Sequence, residues 1–507
     1  MNRPRKFHDV VLLCALIGGF VAAGRSGEKE IVFVQLNDVY EIGPLQGGRY
    51  GGMARVASVV KSLRAVNPST YLVVAGDFLS PSAIGTSAVN GKRISGAQMV
   101  EVLNLAGADF VTFGNHEFDI KETEVEERIN ESRFAWVSAN VRHMDAGSSR
   151  PFRQKTDRGD MPVPASIIIA PKDSAGVDVR IGVIGVTTTK NAASYVQYED
   201  PLAAARRTCD ELKGRVDLIL AITHLSIDQD QELARRVPEL ILIMGGHEHT
   251  NMTARVGETV ITKADANART AYIHHLRFDP GRKSISLVSE LKVVDESLPE
   301  DSATANAVNK WTAVAFQGFE QLGFHPRSPV ATLARPLDGR EGTIRYAPSA
   351  LGRLICRAML ETESRARVAI LNTGSIRLDD ELSGAVSEYD IIRTLPFGGK
   401  ILVVEMKGSL LRRILDAGLL NRGSGGYLQA ENATRTEAGS WTVDTAPLDE
   451  MANYPVMVTE YLLTGKEVRL DFLTRNNPDI IGVSEPAAFH PNDIRMAVIN
   501  YLRERKQ

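Results

Sequence analysis

Cysteine is nearly absent: three residues in a chain of 507. Cys14 falls in the N-terminal apolar stretch, and the other two, Cys209 and Cys356, fall in different predicted regions, which excludes a disulfide framework. Charge of one sign is missing too. With 59 basic against 62 acidic residues the net charge is −3, so no global positive field recruits a nucleic-acid polymer, and recognition of an anion must be local. Beyond the N-terminus no run is apolar enough to cross a bilayer, and no internal repeat is present. What remains, with 43% hydrophobic residues, is a chain long enough for two or three domains with sizeable cores.

The first 24 residues have a basic start, an apolar run from Val10 to Val21 and then the small residues Ala22, Ala23 and Gly24. That is the layout of a secretory signal peptide over residues 1–24, with an apolar run shorter than the ~20 residues of a spanning helix. A secreted or periplasmic protein is expected, with no stable membrane insertion after cleavage; an uncleaved anchor is the alternative.

From residue 31 to about 280, β-rich runs alternate with helical patterns: IVFVQL, GGMARVASVVKSLRAV, YLVVAG, GAQMVEVLNLAG and DFVTF, with further strands at IGVIGV, DLILAIT, ELILIMG and TVITK. Alternation of this kind predicts an α/β fold. A second region carries its own helix pattern, SALGRLICRAMLETES, and the strand VAILN, so a second core is expected. Between them, WTAVAFQGFEQLGFHPRSP reads as a helix running into a Pro-containing linker. The expected division is 28–320, a linker over 321–330, and 331–507.

Five polar clusters follow the predicted strands: LNDVYEI with Asp38, AGDF with Asp77, GNHEFD with Asn115, His116 and Asp119, THLS with His224, and GGHEHT with His247 and His249. Singly, each has an ordinary structural explanation: Asp77 begins a turn, Asn115 caps a helix, a lone His packs. Jointly, four of the ten histidines and several carboxylates sit at strand ends, the edge where open α/β sheets bind ligands, and they form a donor set for divalent metal ions.

These motifs resemble the calcineurin-like metallophosphoesterases, and among them the 5′-nucleotidases with a C-terminal substrate domain. The resemblance implies an N-terminal four-layer α/β/β/α catalytic domain and a smaller C-terminal α/β substrate-binding domain. It also implies two divalent metal ions (Mn, Zn, Co or Fe). Asp77 would bridge both, Asp38 and His249 would hold the first, and Asn115, His224 and His247 the second. Two cations ~3.5 to 4 Å apart lower the pKa of a shared water and neutralise charge on the phosphoryl oxygens. His116, held by Asp119, would stabilise the transition state and assist the leaving oxygen. One position departs from the pattern: Tyr40 stands where the family has a first-motif His. It would ligate as a phenolate suited to trivalent iron, cede its place to water, or only pack.

In the second region LNTGSIR resembles the family's Asn-x-Gly-Gly-Ile-Arg, with Ser375 replacing a glycine, and places Arg377 at the substrate. Arg340 and Arg345 resemble two further substrate arginines, suited to phosphate by their planar forks. Tyr427 and Tyr461 are expected at the family's base-stacking positions. After Tyr461, the family's Gly-Gly-Asp-Gly-Tyr is replaced by Gly465, Lys466, Glu467, Val468 and Arg469, which alters the sugar pocket. The resemblance implies hydrolysis of nucleoside 5′-monophosphates, with nucleoside diphosphates, nucleotide sugars or 2′,3′-cyclic nucleotides as related substrates. Two alternatives stand beside it: hydrolysis of a non-nucleotide, as in thiosulfate-processing relatives, and a surface-binding protein on a decayed enzyme scaffold. The family's domains rotate to carry substrate to the metals, and the same motion is expected here.

Overall fold

A computed structural model of the chain describes residues 29–505, apart from 146, 172–178, 191–192, 280–281 and 283. The expected signal peptide, 1–24, lies outside the described residues. No helix among the described residues is long and apolar enough to cross a membrane.

Two six-stranded sheets make up the N-terminal domain. The first runs in the order Ser284–Val293, Thr270–Asp279, Lys29–Leu36, Thr70–Ala75, Ala108–Thr112, Ala135–Trp136. The second runs Ser166–Ile169, Ile181–Thr187, Leu218–His224, Leu240–Gly245, Thr259–Lys263, Met252–Val256. Their central strands are buried on both faces, hence the near-continuous Val, Ile and Leu runs. Ile31, Phe33 and Val73 of one sheet meet Val183, Leu220 and Leu242 of the other in a shared core. Helices Met53–Val66 and Ala97–Ala106 cover the first sheet, and Pro201–Leu212 and Ile227–Arg236 the second. This is the four-layer α/β/β/α arrangement.

In the middle of each sheet the strands are parallel, so their carboxyl ends share one edge. Leu36, Ala75, Thr112, His224 and Gly245 end there, and the polar clusters begin. Local signals fix where each strand stops. Ser226 caps the next helix by accepting from the Gln229 N–H, while the Gln229 side chain accepts from the Ser226 N–H. This capping box ends the strand at the second residue of THLS and leaves His224 at the edge.

The hairpin Thr270–Asp279/Ser284–Val293 extends the first sheet beyond the expected strands. Helix Ser302–Gln321 begins nine residues before Trp311, capped by Asp301, and packs on the N-terminal helices. The next strand starts at Pro329, so the connection is shorter than the expected linker.

A five-stranded sheet forms the C-terminal domain: Leu428–Glu431, Val368–Asn372, Asn453–Thr459, Ile401–Lys407, Ile480–Ser484. Helix Gly408–Leu420 lies on one face and helices Ala350–Glu361 and Ile494–Glu504 on the other. Cys209 and Cys356 are buried and free, one in each domain. The domains are bound by Phe316 stacked near Tyr389, by the Tyr389 hydroxyl donating to Glu41 at 2.8 Å, and by Arg495 over Phe324.

Beneath the GGHEHT loop a fully buried Lys263 holds the shape. Its ammonium donates to the carbonyls of Leu225 and Gly246, lies 2.9 Å from Asp230 and pairs with Glu248. Removing one member of a buried ion pair leaves the other uncompensated. Lys263→Met is therefore expected to lower unfolding free energy by about 3 to 5 kcal/mol, read by urea denaturation.

Candidate metal centre

The ligand-bearing residues stand in unusual backbone. Asp38 (φ 53°), Asp77 (φ 54°), His247 (φ 88°) and His249 (φ 54°) all lie in the left-handed region, a conformation that non-glycine residues hold only where surrounding structure over-determines it. For Asp77, Glu117 supplies that constraint. Its carboxylate accepts from the N–H groups of Asp77, Phe78, Leu79 and Gly114 at 2.5 to 3.1 Å, clamping the AGDF and GNHE loops together. It went unassigned in the sequence, although GNHE itself contains it.

Asp38, Asp77 and His224 converge with ligand atoms within 4.8 Å of one another, all buried. Asp77 Oδ1 accepts from the His116 N–H at 2.8 Å, and Oδ2 lies 3.0 Å from His224 Nε2. Asp38 Oδ2 accepts from Asn37 Nδ2 at 2.8 Å and from the His247 N–H at 2.9 Å. His224 Nδ1 donates to the Ala75 carbonyl at 2.8 Å, so the tautomer turns Nε2 towards the carboxylates. The His247 ring stands 5.3 Å from that of His224, with its Nε2 2.8 Å from Lys190 Nζ. Asn115 Oδ1 is buried with no hydrogen-bond partner.

Tyr40 does not merely pack. Its hydroxyl enters the cluster, 2.9 Å from His249 Nε2, 3.3 Å from Asp38 Oδ1 and 3.4 Å from Asp77 Oδ2.

The donor set fits a divalent metal. Two fully buried carboxylates, Asp38 and Asp77, have only imidazoles as ion-pair partners among the described residues, and a cation held between them would offset the cost of burying that charge. Oxygen and imidazole donors suit Mn, Zn, Fe or Co.

Beside the cluster, His116 Nδ1 is 2.5 Å from Asp119 Oδ2, and its Nε2 faces Arg377 Nη1 of the second domain at 3.4 Å. Arg377 is oriented by donating from Nε to the Gly374 carbonyl. Arg345 pairs with Glu341, which also lies 3.8 Å from Arg377. Arg340 is not brought in: its guanidinium is held by Asp338 and Glu381 on the surface.

The two tyrosines differ. Tyr461 is 45% exposed, whereas Tyr427 is only 5% exposed, because the GSGG turn folds back on LNTG through Gly374 N–H to Gly425 O and Thr373 N–H to Tyr427 O. No ring contact joins them among the described residues. A different aromatic is open: Phe397 is 50% exposed, with the Arg377 guanidinium 5.8 Å from its ring centre. The only sequence signal for it is a large apolar side chain in a Leu-Pro-Phe-Gly-Gly turn. Glu467 is buried and accepts from Asn372 of LNTGSIR at 2.9 Å.

The calcineurin-like phosphoesterase model matches residues 31–251, and the 5′-nucleotidase C-terminal domain model matches residues 329–474. This chain is a calcineurin-like phosphoesterase with a 5′-nucleotidase C-terminal domain. The phosphoesterase is 26% identical to the 5′-nucleotidase of Homo sapiens over 420 residues, covering 75% of this chain and 68% of the relative. Its fold is similar to that of a 5′-nucleotidase precursor from Thermus thermophilus, at a TM-score of 0.75 and 22% identity over 94% of this chain and 97% of that one. It is similar also to a sulfate thiohydrolase of the same organism, at a TM-score of 0.65 and 16% identity over 94% of each. The family is one of phosphoric ester hydrolases that work with divalent metals, and its members support hydrolysis of nucleotide phosphate esters.

In the metal-free phosphoesterase, burial opposes a charge on His224, but Asp77 and Asp38 outweigh it and push its pKa up to about 9. At neutral pH the imidazole therefore holds a proton that a cation must displace. Affinity for the metal is expected to rise with pH and level off above about 9, falling about tenfold per pH unit below that. Calorimetric titration across pH 6 to 9 in buffers of different ionisation heat reads both the slope and the released proton.

Proposed function

We propose that this phosphoesterase hydrolyses nucleoside 5′-monophosphates to nucleoside and phosphate at a centre of two divalent metal ions. The observation that carries it is the convergence of Asp38, Asp77 and His224 with Arg377 facing His116 from the second domain. Asp77 would be shared by the ions, Asp38 and His249 would hold one, and Asn115, His224 and His247 would hold the other. When bound, the cations lower the pKa of a water and neutralise charge growing on the phosphoryl oxygens.

The remaining work falls to this chain's own groups. Arg377 and Arg345 hold the phosphoryl oxygens, and their present partner Glu341 gives way to the more strongly charged phosphate. Asp119 keeps the proton of His116 on Nδ1 and turns Nε2 to the reacting group, where a second proton reaches the leaving oxygen. Phe397 and Tyr461, the exposed rings near Arg377, stack the base in place of the expected Tyr427 pairing. Glu467 lies where a ribose hydroxyl meets a carboxylate, while Lys466 and Arg469 extend the positive rim. They favour nucleoside diphosphates or nucleotide sugars as further substrates.

Tyr40 sets metal choice. Its hydroxyl lies 2.9 to 3.4 Å from His249, Asp38 and Asp77 and would join them in holding one ion. A phenol in that place supports iron or manganese over zinc.

The alternative of a non-nucleotide substrate keeps the same metal centre but has no use for the exposed rings. Every expected ligand other than the first-motif His, whose place Tyr40 takes, is present, and this stands against a decayed binding protein. Export through the N-terminal 24 residues remains part of this proposal.

The deciding test is phosphate release from a nucleotide panel by metal-stripped protein resupplied separately with manganese, zinc, cobalt or iron. Release from AMP with iron or manganese, reduced or redirected towards zinc in Tyr40→His, is expected; silence with every metal overturns the reading. Phe397→Ala and Tyr461→Ala are each expected to raise KM for AMP about 5- to 100-fold, at ~1 to 3 kcal/mol per stacked base, with hydrolysis of a base-free phosphate ester unchanged. Equal loss on both substrates would remove the base clamp.

A further inference from the structure

Both domains grip His249. From the first domain, Tyr40 and Asp38 meet its Nε2 at 2.9 and 3.2 Å. From the second, Asp379 Oδ2 lies 2.9 Å from its Nδ1 and Glu341 Oε2 lies 3.9 Å away. The ring is flanked by a carboxylate on each side, Asp38 at Nε2 and Asp379 at Nδ1; with a cation in the donor cluster, Nε2 would face the cation and Nδ1 would keep its proton towards Asp379. Glu341 is already tied to Arg345, which leaves Asp379 as the ring's partner. Asp379 is buried, at φ 53°, two residues beyond Arg377. The segment that presents an arginine to His116 thus also braces a metal-ligand candidate across the domain boundary.

We infer that Asp379 is a positioning residue that couples occupancy of the first cation site to docking of the C-terminal domain. The inference rests on the metal reading above. An outer carboxylate that fixes the ring of a ligating histidine and raises its basicity is worth about 10- to 100-fold in metal affinity. Here the carboxylate belongs to the other domain, so the docked arrangement binds the cation more tightly than the undocked one. Linkage makes the effect reciprocal: the cation favours docking by the same factor. Undocking would then loosen the first ion and leave the second alone, since His224 is oriented by Ala75 of its own domain.

The same three side chains, His249, Glu341 and Asp379, lie close enough to hold an ion themselves. His249 would then have to give up both ring protons to serve two ions, and Glu341 would have to leave Arg345. The coupling role needs neither.

The test titrates manganese into metal-stripped full-length protein by calorimetry, with small-angle scattering of the same samples. For wild type, two binding steps and a smaller radius of gyration with metal are expected. For Asp379→Ala, one step weakens about 10- to 100-fold, the other is unchanged, and compaction is lost; Asp379→Asn, which keeps shape and a neutral acceptor, falls between. Should the alanine variant misfold, the asparagine variant alone must show the selective weakening. Two unchanged steps in the variants overturn the coupling while leaving the metal centre intact. A third ion in wild type, lost in Asp379→Ala, overturns it in favour of a separate site. No binding to wild type overturns the metal reading and the coupling with it.

Discussion

Two carboxylates buried side by side govern the N-terminal domain. Asp38 and Asp77 sit fully shielded at adjacent strand ends, a placement that is expensive unless positive charge comes to them. The surroundings are arranged for that meeting. Gly114 passes so close to Asp77 that a Cβ there would lie 2.1 Å from its Oδ1, and Gly76, at φ 77°, leaves room for His224. Glu117 ties the two loops together from behind, and Lys263 does the same for the loop of His247 and His249. Four candidate ligand residues, Asp38, Asp77, His247 and His249, stand in left-handed backbone. Strain concentrated at one edge, supported by two sheets packed back to back, is how a fold holds a charged centre before its cation arrives.

The second domain completes what the first cannot. Metal donors alone do not choose a substrate; Arg377, Arg345, Phe397 and Tyr461 all come from residues beyond 340 and face the strand-end edge or its rim. The interface that brings them there is itself charged and buried: Glu41 of the first domain accepts from Tyr389 of the second, close to Arg393, which is paired within its own domain to Asp380 at 3.0 Å. Such contacts specify one docking orientation more than they add stability.

Much of this was legible in the sequence because parallel strands carry their signal in plain form. Continuous apolar runs marked the buried strands, and since their carboxyl ends share an edge, the polar cluster after each run marked the site. Asp38, Asp77 and His224 meet as that logic requires. The hairpin Thr270–Asp279/Ser284–Val293 was missed because its outer strand is largely exposed and its apolar alternation is diluted by His and charged residues. Asp379, Glu341 and Phe397 were invisible for another reason: each matters through docking of one domain on the other, which no local pattern encodes. Tyr427 misled because an aromatic after Gly-Ser-Gly-Gly reads as exposed, whereas backbone hydrogen bonds from LNTG draw that turn inwards.

The central claim is that Asp77 stands between two cations. Anomalous-difference maps from crystals soaked in manganese, collected on both sides of the manganese edge, address it directly. The account predicts two peaks about 3.5 to 4 Å apart flanking the Asp77 carboxylate, one towards Tyr40 and His249 and the other towards Asn115, His224 and His247. A single peak, or peaks that leave Asp77 unliganded, would contradict it.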